Sequence, residues 1–329
     1  MKIGIIHEGK NPPDHRTPFT PQQLQRLSVQ YEGQLEFIVQ KSPIRSFSDE
    51  EYEQAGIQLV DDISEADVLF GVKEVPVQHL IPEKTYFFFS HTIKKQSKNR
   101  AMLQSILEKK IRLIDYEVLK DESGNRVVAF GFWAGVVGAY NAFWTYGKKT
   151  GLFDLKRANE CKDLSELAFE LGQVQLPPIK IAITGSGRVG KGVLTIVEMM
   201  GLRGVNTHDF LHHYFEEPVY TVLSSSDFNR RKTDGGFDRE EFYTYPERYE
   251  SHFLKFAEQA ELLIAAAFWN PGAPRLFEMD DINSPDFSIS VIADITCDID
   301  GSIPTTIKAS SIAEPVYDID RESGQILPP

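Results

Sequence analysis

An apolar run, Ile179-Lys180-Ile181-Ala182-Ile183-Thr184, leads directly into Gly185-Ser186-Gly187-Arg188-Val189-Gly190 in the middle of the chain. The glycines stand in G-x-G-x-x-G spacing, and the residues beyond them predict a helix over about Val189–Gly201. Each glycine serves a physical need, in turn a tight bend, close approach of backbone to a pyrophosphate, and close packing of helix on strand. The free N–H groups and partial positive charge at the helix start then suit a phosphate. Glycine turns are common, so the spacing alone is weak; the strand before it and the helix after it supply the context a dinucleotide site requires. Gly185, Gly187, Arg188, Val189 and Gly190 are therefore candidate cofactor-binding residues. Because the motif begins near residue 180, a different unit must occupy the first half.

A length of 329 residues favours two domains over one core. The net charge of −13 argues against nucleic acid as a partner, since phosphate-backbone binding needs clustered Lys and Arg. The two cysteines, Cys161 and Cys297, lack C-x-x-C spacing, which excludes a disulfide framework or a cysteine-built zinc site and fits a cytoplasmic location. The opening MKIGIIHEGK reads as a strand without the apolar core of a signal peptide. No stretch reaches the ~18 apolar residues of a membrane span. His208, His212 and His213 have no carboxylate or cysteine partner at ligand spacing, so no metal is expected. The expected partner is a small molecule, with monomer and homo-oligomer both open.

Along the first half, Lys2–His7 and Leu35–Val39 read as strands, and Asp67–Val72, Thr85–Ser90 and Ile111–Tyr116 as further strands of a buried parallel sheet. Thr20-Pro21-Gln22-Gln23 and Ser48-Asp49-Glu50-Glu51 carry capping-box chemistry for two helices, and Asn99–Lys109 predicts a third. Phe132–Lys149 reads as a buried linking helix despite its glycines, and Leu164–Leu171 as helical. After Pro177-Pro178 come the strand before the glycine turn, a weak strand at Val205–Asp209, and strands at Val219–Leu223, Glu261–Phe268 and Ser288–Ile295. Asp227–Arg239 reads as an exposed excursion. The fold class is α/β, with two Rossmann-like parallel-sheet domains joined by a long helix and a cleft between them. The expected division is 1–131 for the first domain, 132–150 for the linking helix, 151–178 for a linker and 179–314 for the dinucleotide-binding domain, with 315–329 a candidate to return to the first.

Several separated segments resemble the alanine dehydrogenase and pyridine nucleotide transhydrogenase family, and among its branches the lysine-forming saccharopine dehydrogenases. They are H-R-T-P-F-T-P (15–21), G-V-K-E-V-P (71–76), F-S-H-T-I-K-K-Q (89–96), the run from Asp115 through Arg126 and Phe130 to Gly135, the glycine turn, and A-D-I-T-C-D (293–298). The resemblance implies an NAD-dependent dehydrogenase acting on a C–N bond, with saccharopine, NAD+ and water giving lysine, 2-oxoglutarate and NADH, or the reverse. Alanine dehydrogenase, or another opine- or imine-type enzyme, is the alternative. It further implies Lys73 and His91 as the acid–base pair, Arg16, Gln96, Arg126 and Phe130 as substrate contacts, and Asp294 and Asp298 near the nicotinamide ribose or the substrate amine. Two departures stand out. Val189 occupies a position where some saccharopine enzymes carry cysteine, and Cys297 is no positional substitute. The chain ends soon after Tyr317, whereas relatives continue for tens of residues; this keeps a non-catalytic cofactor-binding paralogue as a second alternative.

The residues' own chemistry supports these roles unevenly. Arg16, in a proline-bounded loop, could hold a carboxylate bidentately, although an arginine there is most simply a surface residue. Lys73 and His91 each end a buried strand, at the sheet edge where open α/β sheets place ligands. Alone, Lys73 reads as a lysine leaving the core and His91 as a hydrogen-bonded core residue; their coincidence at one edge is what carries weight. Asp298 is favoured over Asp294 for a cleft role. Asp209 lies 19 residues beyond Gly190, near the distance at which an acid reads the adenosine ribose, so NAD is preferred and NADP is the alternative.

Overall fold

Short apolar runs alternating with capped helices build a six-stranded, all-parallel sheet in the first of two units, Met1–Ala129. The computed structural model describes residues 1–327. The elements of this unit are β1 (Lys2–Ile5), α1 (Pro21–Gln30), β2 (Glu36–Gln40), α2 (Asp49–Gln54), β3 (Gln58–Val60), β4 (Val68–Phe70), β5 (Thr85–Phe88), α3 (Arg100–Glu108) and β6 (Arg112–Asp115). Helix α1 begins as its sequence requires: the Thr20 hydroxyl accepts from the Gln23 N–H at 3.2 Å, and the Gln23 side chain accepts from the Thr20 N–H at 2.8 Å. Ser48 and Glu51 repeat the arrangement at α2. Thr20→Ala is expected to destabilise this unit by about 1 kcal/mol, read as a lower urea midpoint at unchanged slope.

The strand order is β3-β2-β1-β4-β5-β6, so the chain reverses direction across the sheet between β1 and β4. That is the switch point at which the carboxyl ends leave a crevice. Side chains alternate across the sheet. Phe37 and Val39 join Ile3, Ile5, Leu24 and Tyr52 on one face, and Ile38 joins Leu69, Tyr86 and Phe88 on the other. Strand β3, short and at the edge, has no counterpart among the sequence expectations.

The second unit, Phe130–Pro329, holds a five-stranded parallel sheet. It contains α4 (Gly131–Thr150), α5 (Leu164–Leu171), β7 (Lys180–Thr184), α6 (Arg188–Met199), β8 (Arg203–Gly204), α7 (Thr207–His212), β9 (Val219–Leu223), α8 (Ser225–Phe228), β10 (Asn229–Arg231), α9 (Arg239–Thr244), β11 (Tyr249–Ser251), α10 (Leu254–Ala257), β12 (Leu262–Ala265) and β13 (Val291–Asp294). The order is β13-β12-β7-β9-β8. Helices α4, α5 and α6 cover one face through Tyr140, Phe143, Leu167, Leu171 and Ile196; Phe210, Phe253, Phe256 and Phe277 pack on the other.

Four expectations are corrected by the structure. The stretches 132–150 and 151–178 are not separate connectors, because their apolar faces complete the second unit's core. Residues beyond 315 stay with this unit: Ile319 bridges to Ile326, and Arg321 donates to the carbonyls of Ile282, Ser284 and Phe287. Residues 328 and 329 of that expectation lie outside the described residues. Val205–Asp209 is not a strand, since the Asn206 side chain accepts from the Asp209 N–H at 2.8 Å and caps helix α7. Asp227–Arg239 is not a bare excursion: β10 pairs antiparallel with β11, and Arg231 holds Glu241 at 2.7 Å. Among the described residues no helix is long and apolar enough to cross a membrane.

Candidate functional site

Four neighbouring strands of the first sheet end in ionisable side chains. Glu8 follows β1, Lys73 and Glu74 follow β4, His91 follows β5 and Glu117 follows β6. Because the strands are parallel and adjacent, these groups collect along one edge. The Lys73 Nζ lies 3.5 Å from the His91 Nε2, and the other ring nitrogen, Nδ1, is 3.0 Å from a Glu117 oxygen. The second Glu117 oxygen meets Lys94 at 3.4 Å and Arg126 at 3.1 Å, and the Arg126 Nε donates to the Glu117 carbonyl. Glu74 approaches the His91 Nε2 at 3.9 Å. His91 itself adopts φ of +54°, a left-handed conformation that non-glycine residues hold only where surroundings enforce it.

The electrostatics follow from burial and charge. Burial lowers the Lys73 pKa below that of an ordinary lysine, and the positive charges of Arg16 and Lys10 lower it further. Burial pushes the Glu8 carboxyl up, even though it accepts the N–H groups of Val72 and Lys73 at 2.6 and 2.9 Å. Glu117 would also be raised by burial, but the hydrogen bond to His91 and the Lys94 charge carry it below the usual range. Arg16 is gripped by Asp14 through Nε at 2.9 Å and Nη2 at 2.5 Å. Lys73 and His91 face each other nitrogen to nitrogen, so two positive charges there would repel.

The structure thus brings Lys73, His91 and Arg126 together, with Arg16 electrostatically coupled to Lys73. It does not bring Gln96 to them: its side chain is exposed at the head of the turn Ser97–Asn99 and forms no hydrogen bond among the described residues. Phe130 is the first residue of the second unit and caps α4. Glu8, Asp14, Glu74 and Glu117 escape a reading of the sequence. The strand-end rule that finds Lys73 and His91 also points to Glu8 and Glu117.

The carboxyl edge of the second sheet holds a cavity of about 880 Å³. Its walls come from the turn Gly185–Val189, from Ser224, Ser225 and Ser226 after β9, from Ala266–Trp269 after β12, and from Ile295, Thr296 and Asp298 after β13. Ala134 of α4, Phe237, Arg239 and Tyr243 complete them. Gly185 sits at φ +88°, and a Cβ there would lie 2.7 Å from the Ala267 Cα. A Cβ on Gly190 would collide with the Gly185 carbonyl oxygen. At Gly187 a Cβ would meet nothing within 4 Å, which leaves that backbone open at the head of α6. An open peptide edge at the start of a helix, inside a cavity of this size, fits a dinucleotide's diphosphate.

Two expected cofactor contacts are corrected. Asp209 is absent from the cavity wall and stands on α7, its carboxylate near Asn206, His208 and His213 at 2.8, 3.5 and 3.4 Å. The strand beside β7 is β9, reached only after β8 and α7, so counting residues from the glycine turn points to the wrong place. The Asp294 carboxylate is taken up by Thr296 and Thr306 and is likewise not on the wall, whereas Asp298 is.

Residues 4–137 match the family described as "Alanine dehydrogenase/PNT, N-terminal domain". Similarity runs further along the sequence. A rat protein named alpha-aminoadipic semialdehyde synthase, mitochondrial, is 32% identical over 362 residues, and its bovine counterpart 34% over 362, each aligned to 97% of this chain. The chain spans only 39% of the length of either relative. A Yarrowia lipolytica protein named saccharopine dehydrogenase [NAD(+), L-lysine-forming] is 25% identical, over 99% of this chain and 84% of its own. A solved L-alanine dehydrogenase covers 97% of this chain, and is itself 80% covered, with a TM-score of 0.56 at 19% identity. That likeness establishes the shared Rossmann-like architecture.

Proposed function

We propose that the chain is a nicotinamide-dependent dehydrogenase acting on the C–N bond of an amino-acid substrate, saccharopine or its lysine and 2-oxoglutarate precursors. The observation that carries this is the Lys73–His91 contact of 3.5 Å at the ends of neighbouring strands, flanked by Arg16 and Arg126. Support comes also from relatives named for saccharopine chemistry along nearly the whole chain. A nicotinamide held at the glycine turn would supply hydride acceptance or return at the carbon bonded to nitrogen. Lys73, its pKa lowered, takes the proton from the substrate nitrogen as a neutral amine. His91 takes a proton from water as it adds to the imine carbon, while Glu117 holds the ring through Nδ1. The same two groups return protons as the carbinolamine collapses to amine and keto acid. Arg16 and Arg126 orient substrate carboxylates, a role that suits planar guanidinium groups best. A cytoplasmic setting belongs to the same reading.

The deciding experiment follows oxidation of NADH and of NADPH with lysine plus 2-oxoglutarate, and in parallel with pyruvate plus ammonia. Lysine-dependent oxidation is the expected result. Activity with pyruvate and ammonia alone would transfer the assignment to alanine dehydrogenase, for which the family matched by residues 4–137 is named. Silence in all assays would remove both.

A further inference from the structure

We infer that Asp115 is a positioning residue for the His91 imidazole, its one buried carboxylate tying together the two segments that meet at the His91–Glu117 contact. The role presupposes that contact as part of the reaction centre. Asp115 ends β6 opposite Phe88, the last residue of β5, and is only 8% exposed. Its two oxygens serve different segments. Oδ1 accepts the Glu117 N–H at 2.9 Å and caps the turn Tyr116–Val118. Oδ2 accepts the hydroxyl of Ser90, a residue wholly shut off from solvent.

Ser90 passes the constraint on. A serine has one hydroxyl proton and two lone pairs. With that proton given to Asp115, its oxygen is left to accept, from the Thr92 N–H at 3.2 Å and from the Thr92 hydroxyl at 2.8 Å. These bonds clasp the residues on either side of His91 and hold its backbone in the left-handed region at φ +54°. On the other segment, the cap fixes the backbone of Glu117, whose carboxylate meets the His91 Nδ1 at 3.0 Å. One acid therefore sets both the imidazole and the carboxylate that holds its ring. Glu8 stands in the same relation to Lys73, accepting the N–H groups of Val72 and Lys73 from the end of β1. Each of the two facing residues thus has its backbone held by an acid at the end of an adjacent strand, β1 beside β4 and β6 beside β5.

Asparagine matches aspartate in size, but its amide presents an acceptor on one side and a donor on the other. It cannot accept from Glu117 and Ser90 at once. In steady-state assays of the full chain with lysine plus 2-oxoglutarate, Asp115→Asn is expected to lower kcat roughly ten- to hundredfold at KM values within about twofold, since a misplacement near 1 Å costs on that order. In a His91→Asn background the same change should lower kcat by no more than about twofold, because residues that act as a unit are not additive. Ser90→Ala keeps the Glu117 cap and should lower kcat roughly threefold or more; if Asp115→Asn does not fold, this variant decides. Equal losses in the parent and His91→Asn backgrounds mark an acid that only stabilises the fold and overturn the inference, as does an unchanged kcat in Asp115→Asn or Ser90→Ala. A second readout needs no turnover. The histidine-ring NMR signal that disappears in His91→Asn should move in Asp115→Asn and in Ser90→Ala, and an unmoved signal overturns the inference. A parent chain silent with lysine and 2-oxoglutarate sinks the proposed reaction instead, and the ring signal then decides the role of Asp115.

Discussion

Lys73→Met is expected to lower turnover by about 10²–10⁴-fold, the range that a positioned general acid or base contributes, with little change in nucleotide affinity. Methionine keeps most of the side chain's length and apolar stem, so the loss isolates the amine. The pH profile should change with it. A lysine works as a base only when neutral, and burial together with Arg16 and Lys10 lowers its pKa. The rate of the amine-dependent step should therefore rise with pH and level off below the ~10.4 of an ordinary lysine. In Lys73→Met that limb should vanish from kcat/KM. Turnover within a factor of two of the parent, or a limb that persists unshifted, would remove Lys73 from the chemistry. His91→Asn should cost at least roughly tenfold by the same principle, since asparagine keeps a polar group but cannot carry a proton at working pH.

Gly135→Ala is expected to be among the most damaging single methyls in the second unit. A Cβ at Gly135 would strike the Val189 carbonyl oxygen and lie 3.0 Å from the Gly192 Cα, while a Cβ at Gly192 would strike the Phe132 carbonyl. Helices α4 and α6 thus touch backbone to backbone. Elsewhere in a helix, alanine for glycine gains about 1 kcal/mol; here overpacking of roughly 1–3 kcal/mol or more opposes that gain, and rigid backbone on both sides leaves nothing to yield. A net loss of about 2 kcal/mol corresponds to a drop of roughly 4–8 °C in Tm for a unit of this size. Arg188 and Val189 begin α6 and line the cavity, so nucleotide affinity should fall as well. A Tm at or above the parent's would show that the helices can part without cost.

Local chemistry is legible wherever it is written within a few residues. The caps at Thr20 and Ser48, the strands around Lys73 and His91, helix α5 and the turn Gly185–Gly190 all follow from periodicity, side-chain hydrogen bonding and the needs of glycine. The departures share one cause. Asp209 follows from counting along the chain, but the sheet inserts β8 and α7 before β9, so proximity to the glycine turn passes to Ser224. Glu117 follows a strand end as Lys73 and His91 do, but its role depends on strand β6 lying beside β5 so that its carboxylate reaches the His91 ring. The apolar stretch of α4 announces burial without naming its partner, and only the packed helices show that its glycines serve contact with α6. Sequence alone determined the longer strands and helices, though not the short β3, β10 and β11 or helix α7, because those preferences act within a turn or two of chain. Tertiary structure decided which strand ends are neighbours, because residues dozens of positions apart meet only when a sheet's strand order is set by the burial of its faces.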